Sequence, residues 1–299
     1  MIAWLASIEG TETGHSVAMG LALLAAVSHA VFGALQKGRH DPWLTRGAID
    51  ACYAAMALPV ALFLVPWPEG AQWAVLAGAM GIHLVYKTAQ AMAYSRGAFT
   101  VVYPVVRGTG PLVTATAAAI VFGEHYGRVQ WLGILLLSGG ILAFAALNLS
   151  ETRVGRHALR AALGYALFTG VMVAAYTTYD AWGIRLTPNP FTFLAWFFVL
   201  DGLIFPWIAR ARWQAMTAPP PLGPLLARGV TGGLVAYLSF GSILLATRID
   251  KVGQAAVLRE TSVVFAAVIG WAFLGERVGW ARAALVGVIA TGAVVMEFG

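Results

Sequence analysis

His83, Tyr86, Lys87, Gln90 and Tyr94 recur at i, i+3, i+4, i+7 and i+11 inside an otherwise apolar run. That spacing puts them on one helical face. We read the row as the wet wall of a pathway for a small solute. The alternative is an interhelical hydrogen-bond seam in which Lys87 pairs with an acid elsewhere. Arg107 follows in the next run, with Tyr103 and Thr114 on its face and Pro104 and Pro111 in the same stretch. The prolines would bend that helix and free backbone carbonyls. A guanidinium offers a planar fork that fits a carboxylate or a phosphate. Arg259 offers a second one. Both are expected to bind an anion, unless each is glued to Asp180, Asp201 or Glu260.

Acids are fewer. Tyr176 and Asp180 stand one turn apart and make a second polar face. Glu260 follows Arg259 directly, about 100° around a helix, so the two should face different neighbours. Desolvation favours the protonated form of a carboxylate. Asp180 and Glu260 are therefore candidates for carrying a proton, with a salt-bridge role as the alternative. His29 lies alone in an apolar run and reads as a core histidine. Lone Cys52 has no partner for a disulfide or a CxxC pair. No cluster has metal-ligand spacing, and no GxxxxGK[ST] loop is present. No cofactor and no metal are expected.

These residues need helices that bury them in lipid. Of 299 residues, 60% are hydrophobic, 34 glycines add about 11%, and only 11% are charged. Soluble domains have about 25% charged residues. The chain is therefore read as an all-α polytopic membrane protein. Apolar windows fall at about 16–36, 45–66, 71–94, 99–121, 128–148, 159–181, 191–209, 223–247, 252–274 and 279–298. Each is near the roughly 20 residues that a span needs. The start, MIAWLASIEGTE, lacks the basic residues of a cleaved signal. The net charge of +6 comes largely from short interhelical loops, so no nucleic-acid partner is expected. A lipid bilayer and a small-molecule substrate are.

The chain also repeats itself. A constant shift of 152 places Arg107 on Arg259, Thr109 on Thr261, Gly123-Glu124 on Gly275-Glu276, and Gly140 on Gly292. This predicts ten transmembrane helices as two five-helix repeats, residues 1–150 and 151–299. Five is odd, so the repeats must be inverted, with a site between them. A membrane-embedded enzyme would need its catalytic groups gathered at one interface. Here the ionisable residues are scattered through mid-run positions, and no catalytic residue is assigned.

Several motifs resemble the drug/metabolite transporter superfamily, EamA type. The generic part is FGEHYG at 122–127 and FLGERVG at 273–279. A narrower subset is matched by His29, Ala30, Ala34 and Lys37, by Tyr103, Pro104, Arg107 and Gly108, by Ala175, Tyr176 and Asp180, and by Leu258 to Ser262. Such relatives often carry Trp-Asn where this chain has Val31-Phe32-Gly33. The resemblance implies a multi-pass secondary carrier of the inner membrane, monomeric or homodimeric. Its cavity would be lined by spans one, three, four, six, eight and nine. Export of metabolites, often by proton exchange, is common in that superfamily, and some relatives of the subset are labelled phosphonate-associated.

The expected function is secondary-active export of a small anionic or zwitterionic metabolite by proton-coupled alternating access. Substrate would meet Tyr103, Arg107, Lys87, Arg259, His83, Tyr86, Gln90 and Tyr176, and protons would use Asp180 or Glu260. An uncoupled channel or a flippase for lipid-linked groups, using the same groove, is the alternative. Loops after odd-numbered spans hold twelve Lys/Arg and loops after even-numbered ones four. By the positive-inside rule both termini are outside, whereas ten-span relatives usually have both inside, so the orientation stays open.

Overall fold

The computed structural model describes residues 2–36, 41–96, 99–150, 156–274 and 279–299. Their helices are α1 (Ile2–Ile8), α2 (Glu12–Gln36), α3 (Pro42–Phe63), α4 (Ala71–Arg96), α5 (Phe99–Phe122), α6 (Arg128–Ser150) and α7 (Arg156–Leu186). After these come α8 (Pro190–Asp201), α9 (Phe205–Gln214), α10 (Leu222–Ile249), α11 (Val252–Arg259), α12 (Ser262–Leu274) and α13 (Trp280–Phe298). Starts are encoded locally. Asp41 accepts from the amides of Trp43 and Leu44, and Asn189 accepts from that of Phe191; Pro42 and Pro190 fill the first helical position.

Among the described residues, nine segments are long and apolar enough to cross a membrane; α8–α9 and α11–α12 each count as one. Helix α4 is the tenth crossing. Its 26 residues span about 39 Å at 1.5 Å per residue, and its polar row dilutes its hydropathy. An even number of crossings returns α13 to the end of the bundle where α2 begins. We call this the termini end.

Helix contacts come in exchanged pairs. Helix α10 lies on α2 as α4 lies on α7, and α11 and α12 lie on α2 as α5 lies on α7. Likewise α10 packs on α3 as α4 packs on α8, while α6 meets α13 across the middle. Exchanging the halves preserves this pattern, as a two-fold relation between repeats would. The Lys37, Gly275 and Glu276 positions of the sequence motifs, and the chain at 151–155, lie outside the described residues.

The α6–α13 contact depends on backbone approach. A Cβ at Gly133 would strike the backbone of Gly292 and Met296, and one at Gly292 would strike that of Leu137 and Gly133. Helices in lipid gain from such close packing because burial from water is not available to drive them together. Gly292→Val should therefore overpack the pair and cost about 1–3 kcal/mol. A lowered midpoint of thermal unfolding in detergent would register it; an unchanged midpoint would contradict close packing there.

Candidate functional site

A cavity of about 90 Å³ lies where the first four crossings of the two halves meet. That is room for a few waters or a small solute group. Helix α4 contributes His83, Tyr86, Gln90 and Tyr94, the expected row. From α5 come Tyr103 and Arg107, from α7 Tyr176, and from α11 Arg259. Helix α3 adds Arg46 and Tyr53, and α8 adds Phe197, Phe198 and Asp201. Crossings two and seven thus join the lining, beyond the six that the family resemblance implied.

Span nine breaks at the site. Helix α11 ends at Arg259 and α12 begins at Ser262. The amides of Glu260 and Thr261 turn back to Val257 O and Leu258 O, both at 3.0 Å, and Thr261 Oγ1 also donates to Leu258 O at 2.6 Å. This tight turn brings two neighbouring side chains together. Arg259 Nη2 reaches Glu260 Oε1 at 3.2 Å, where an unbroken helix would have held them apart. Arg107 Nη1 reaches both Glu260 oxygens, at 2.9 and 3.1 Å. Helix α5, by contrast, is a single helix with Pro104 and Pro111 inside it.

Two guanidiniums therefore share one carboxylate. Glu260 is 1% exposed, Arg107 5% and Arg259 4%, and among the described residues no other acid pairs with either arginine. One formal positive charge is left at the cavity wall. Arg107 spends only Nη1 on Glu260, and its guanidinium lies over the Tyr103 ring at 5.4 Å. His29 also lines the cavity, its ring 6.2 Å from that of Tyr103 and within the field of Arg107, Arg259 and Arg46. It is a wall residue rather than a satisfied core histidine.

Lys87 has a different place. It is 1% exposed and does not line the cavity. Its ammonium donates to Asp50 Oδ2 at 2.5 Å, Tyr53 Oη at 2.8 Å and Asp201 O at 2.9 Å, and lies 2.7 Å from Asp201 Oδ2. Tyr53 in turn donates to Asp201, and Arg46 Nε lies 2.8 Å from Asp50 Oδ1. Two cations meet two anions, so this network is neutral. It ties α3, α4 and the end of α8 together, including the carbonyl freed where α8 stops at Asp201. Sequence reasoning assigned Arg46 to a loop and passed over Asp50 and Tyr53. Their i, i+4, i+7 spacing was the available signal.

His83 forms the third cluster. Its Nε2 lies 2.7 Å from Asp180 Oδ2, and both residues are buried. The rings of Tyr176 (4.5 Å) and Phe197 (4.7 Å) enclose the imidazole, and Tyr86, which accepts a bond from Gln90, packs edge-on against Tyr176. Asp180 does not reach the cavity itself. The structure thus gathers His83, Tyr86, Gln90, Tyr103, Arg107, Tyr176 and Arg259 around one space, and places Lys87, Asp180 and Glu260 just behind its wall.

Residues 160–298 match the model of the EamA-like transporter family. They are an EamA-like transporter domain. This agrees with the expected resemblance to the drug/metabolite transporter superfamily, and the domain is that of a multi-pass membrane transporter. No curated protein matches the chain. A solved crystal structure superposes with a TM-score of 0.71 at 16% identity, covering 95% of this chain and 96% of that one, so the fold as a whole is a known one. The EamA-like domain supplies Tyr176, Asp180, Asp201, Arg259 and Glu260; the preceding half supplies His29, Arg46, His83, Lys87 and Arg107.

Removing one member of a buried charge network strands its partners, at a cost of about 3–5 kcal/mol. Lys87→Met should therefore lower the unfolding midpoint in detergent strongly. A midpoint unchanged from the parent would show that Lys87 is not the tie between α3, α4 and α8.

Proposed function

We propose that this transporter is a secondary carrier in the inner membrane for a small metabolite with an anionic group, bound by Arg107 and Arg259. The observation that supports this reading is the shared carboxylate: Glu260 answers two guanidiniums at the wall of a buried cavity. A desolvated surplus charge is costly, and an anion entering from either side offsets it. Tyr86, Gln90, Tyr103 and Tyr176 offer hydroxyl and amide groups to the remainder of the solute, with Phe197 and Phe240 as apolar wall.

Glu260 is the internal counter-ion and the proton acceptor. A proton on its carboxylate removes the negative charge, releases both arginines, and leaves two positive charges for the substrate. Anion and proton then bind together, since each strengthens the other by the same factor. The charge count thus favours movement in the same direction over the exchange implied by the family resemblance. The His83–Asp180 pair, behind the aromatic wall, is a second place for a proton. The chemistry is binding and release alone, with no bond made or broken in the substrate.

Arg107→Gln and Arg259→Gln should each weaken binding of small carboxylates and phosphate esters roughly tenfold or more, the loss of a charged hydrogen bond being worth about 1.5–3 kcal/mol. Ligand-induced thermal shifts measure this, because a ligand of the native state raises its stability. Unchanged shifts in both variants, with the fold intact, would remove the anion site.

Proton linkage gives a signed expectation. Affinity for the anion should rise as pH is lowered, and Glu260→Gln should lose that dependence. In proteoliposomes the anion should accumulate on the alkaline side of an imposed pH gradient. Flux indifferent to the gradient would instead mark an uncoupled channel or flippase.

A further inference from the structure

Five elements converge on the turn at the termini end that leads into α11. Glu124, in the loop between α5 and α6, accepts the amide of Val252 on Oε1 at 2.5 Å and that of Gly253 on Oε2 at 3.0 Å. These are the first amides of α11, which have no partner inside the helix, and a carboxylate also suits the positive end of its dipole. Tyr126 donates to the same carboxylate. Burial and the Glu124 contact push that phenol above its ordinary value, so it stays a donor. Any side chain at Gly253 would collide with the Tyr126 hydroxyl. Around this cap, Arg185 of α7 donates to Thr247 O and Asp250 O at 2.9 and 2.7 Å. The amide of Gly10 donates to Ile249 O at 3.1 Å, and Gln254 donates to Glu297 of α13 at 2.9 Å.

The cap comes from 128 residues away, out of the other half of the chain. A helix N-terminus is normally capped from its own preceding residues, yet Lys251 provides no side-chain cap here. The bond between Glu124 and α11 is therefore a bond between the halves. Its far end matters as much. Helix α11 is eight residues long, about 12 Å, and carries Arg259 at its other terminus. Whatever holds or frees its N-terminus moves that arginine.

Cavity position follows the same asymmetry. At the end opposite the termini its lining comes within two residues of a helix end at Tyr94 and within four at Arg46 and Tyr103; at the termini end it stays at least six residues away, at Ile243. The fastened turn lies on the side that the cavity does not approach.

We propose that Glu124 latches the termini end closed. Its carboxylate caps the arginine-bearing helix of the other half, and transport breaks and remakes that cap. The proposal rests on the chain being a transporter and not on the anion reading.

Side-specific labelling tests it. Cys52 is the single cysteine, so a Cys52→Ala background with Ala236→Cys, a cavity-wall position on α10, reports access. A membrane-impermeant maleimide is applied to sealed vesicles of each orientation, without substrate. Glu124→Gln can make one of the two cap bonds; it should raise labelling from the termini side about fivefold and lower it from the other. Should Glu124→Gln fail to fold, Tyr126→Phe removes one bond to the same carboxylate and should shift the balance the same way by a smaller factor. Folded variants with unchanged rates overturn the proposal. So does an equal rise from both sides, which would mean general loosening. Loss of anion binding in the arginine variants would leave these outcomes untouched.

Discussion

A charged side chain at bilayer depth has no water to hold it, so it must find an opposite charge on another helix or face a cavity. Among the described residues three buried clusters meet this demand, and their partners set the packing of the bundle. Lys87 and Arg46 bind α4 and α3 to each other and to the end of α8 through Asp50 and Asp201. His83 binds α4 to α7 through Asp180. Arg107 binds α5 to the α11–α12 turn through Glu260. The first network is balanced and structural. The last, with Arg259 on the same carboxylate, carries one positive charge more than negative, and that imbalance underlies the anion site proposed above.

Broken helices supply what straight ones cannot. Where α11 stops, Arg259 and Glu260 swing onto one point; where α8 stops, Asp201 offers its carbonyl to Lys87. Interrupted spans at mid-membrane depth are tolerated because the freed backbone groups lie within protein or against a cavity. They are also where carriers of inverted-repeat construction hold their solutes. Here the interrupted helix α11 links the cavity-facing Arg259 at one terminus to a cap from the opposite half at the other. A single short rod thus connects the cavity wall to the contact between the halves.

Much of this was legible in the residue order. The polar row of α4 appears as a helical spacing, and all its members except Lys87 line the cavity. Lys87 sits about 40° around the helix from His83 at 100° per residue, enough to turn it toward α3 and α8. The pairing of Arg107 with Arg259 could be read from the repeat, and both reach the cavity. What was missed has one cause: spacing along a helix ignores where the helix ends. Arg46 looked like a loop residue because the Asp41 cap and Pro42 that start α3 four residues earlier were not weighed. Arg259 and Glu260 looked divergent because a continuous helix was assumed through them.

The amino-acid order by itself determined the class of protein, its ten apolar crossings and the repeat that relates its halves, because solvation by lipid is decided residue by residue. It also singled out the ionisable residues that lipid could not accept unaided. Only the tertiary structure decided which of them are neutralised and which remain short of a partner. Electrostatic balance depends on distances between helices far apart in the chain, and those distances are set by packing of the whole bundle. The two arginines on one glutamate are a fact of that kind.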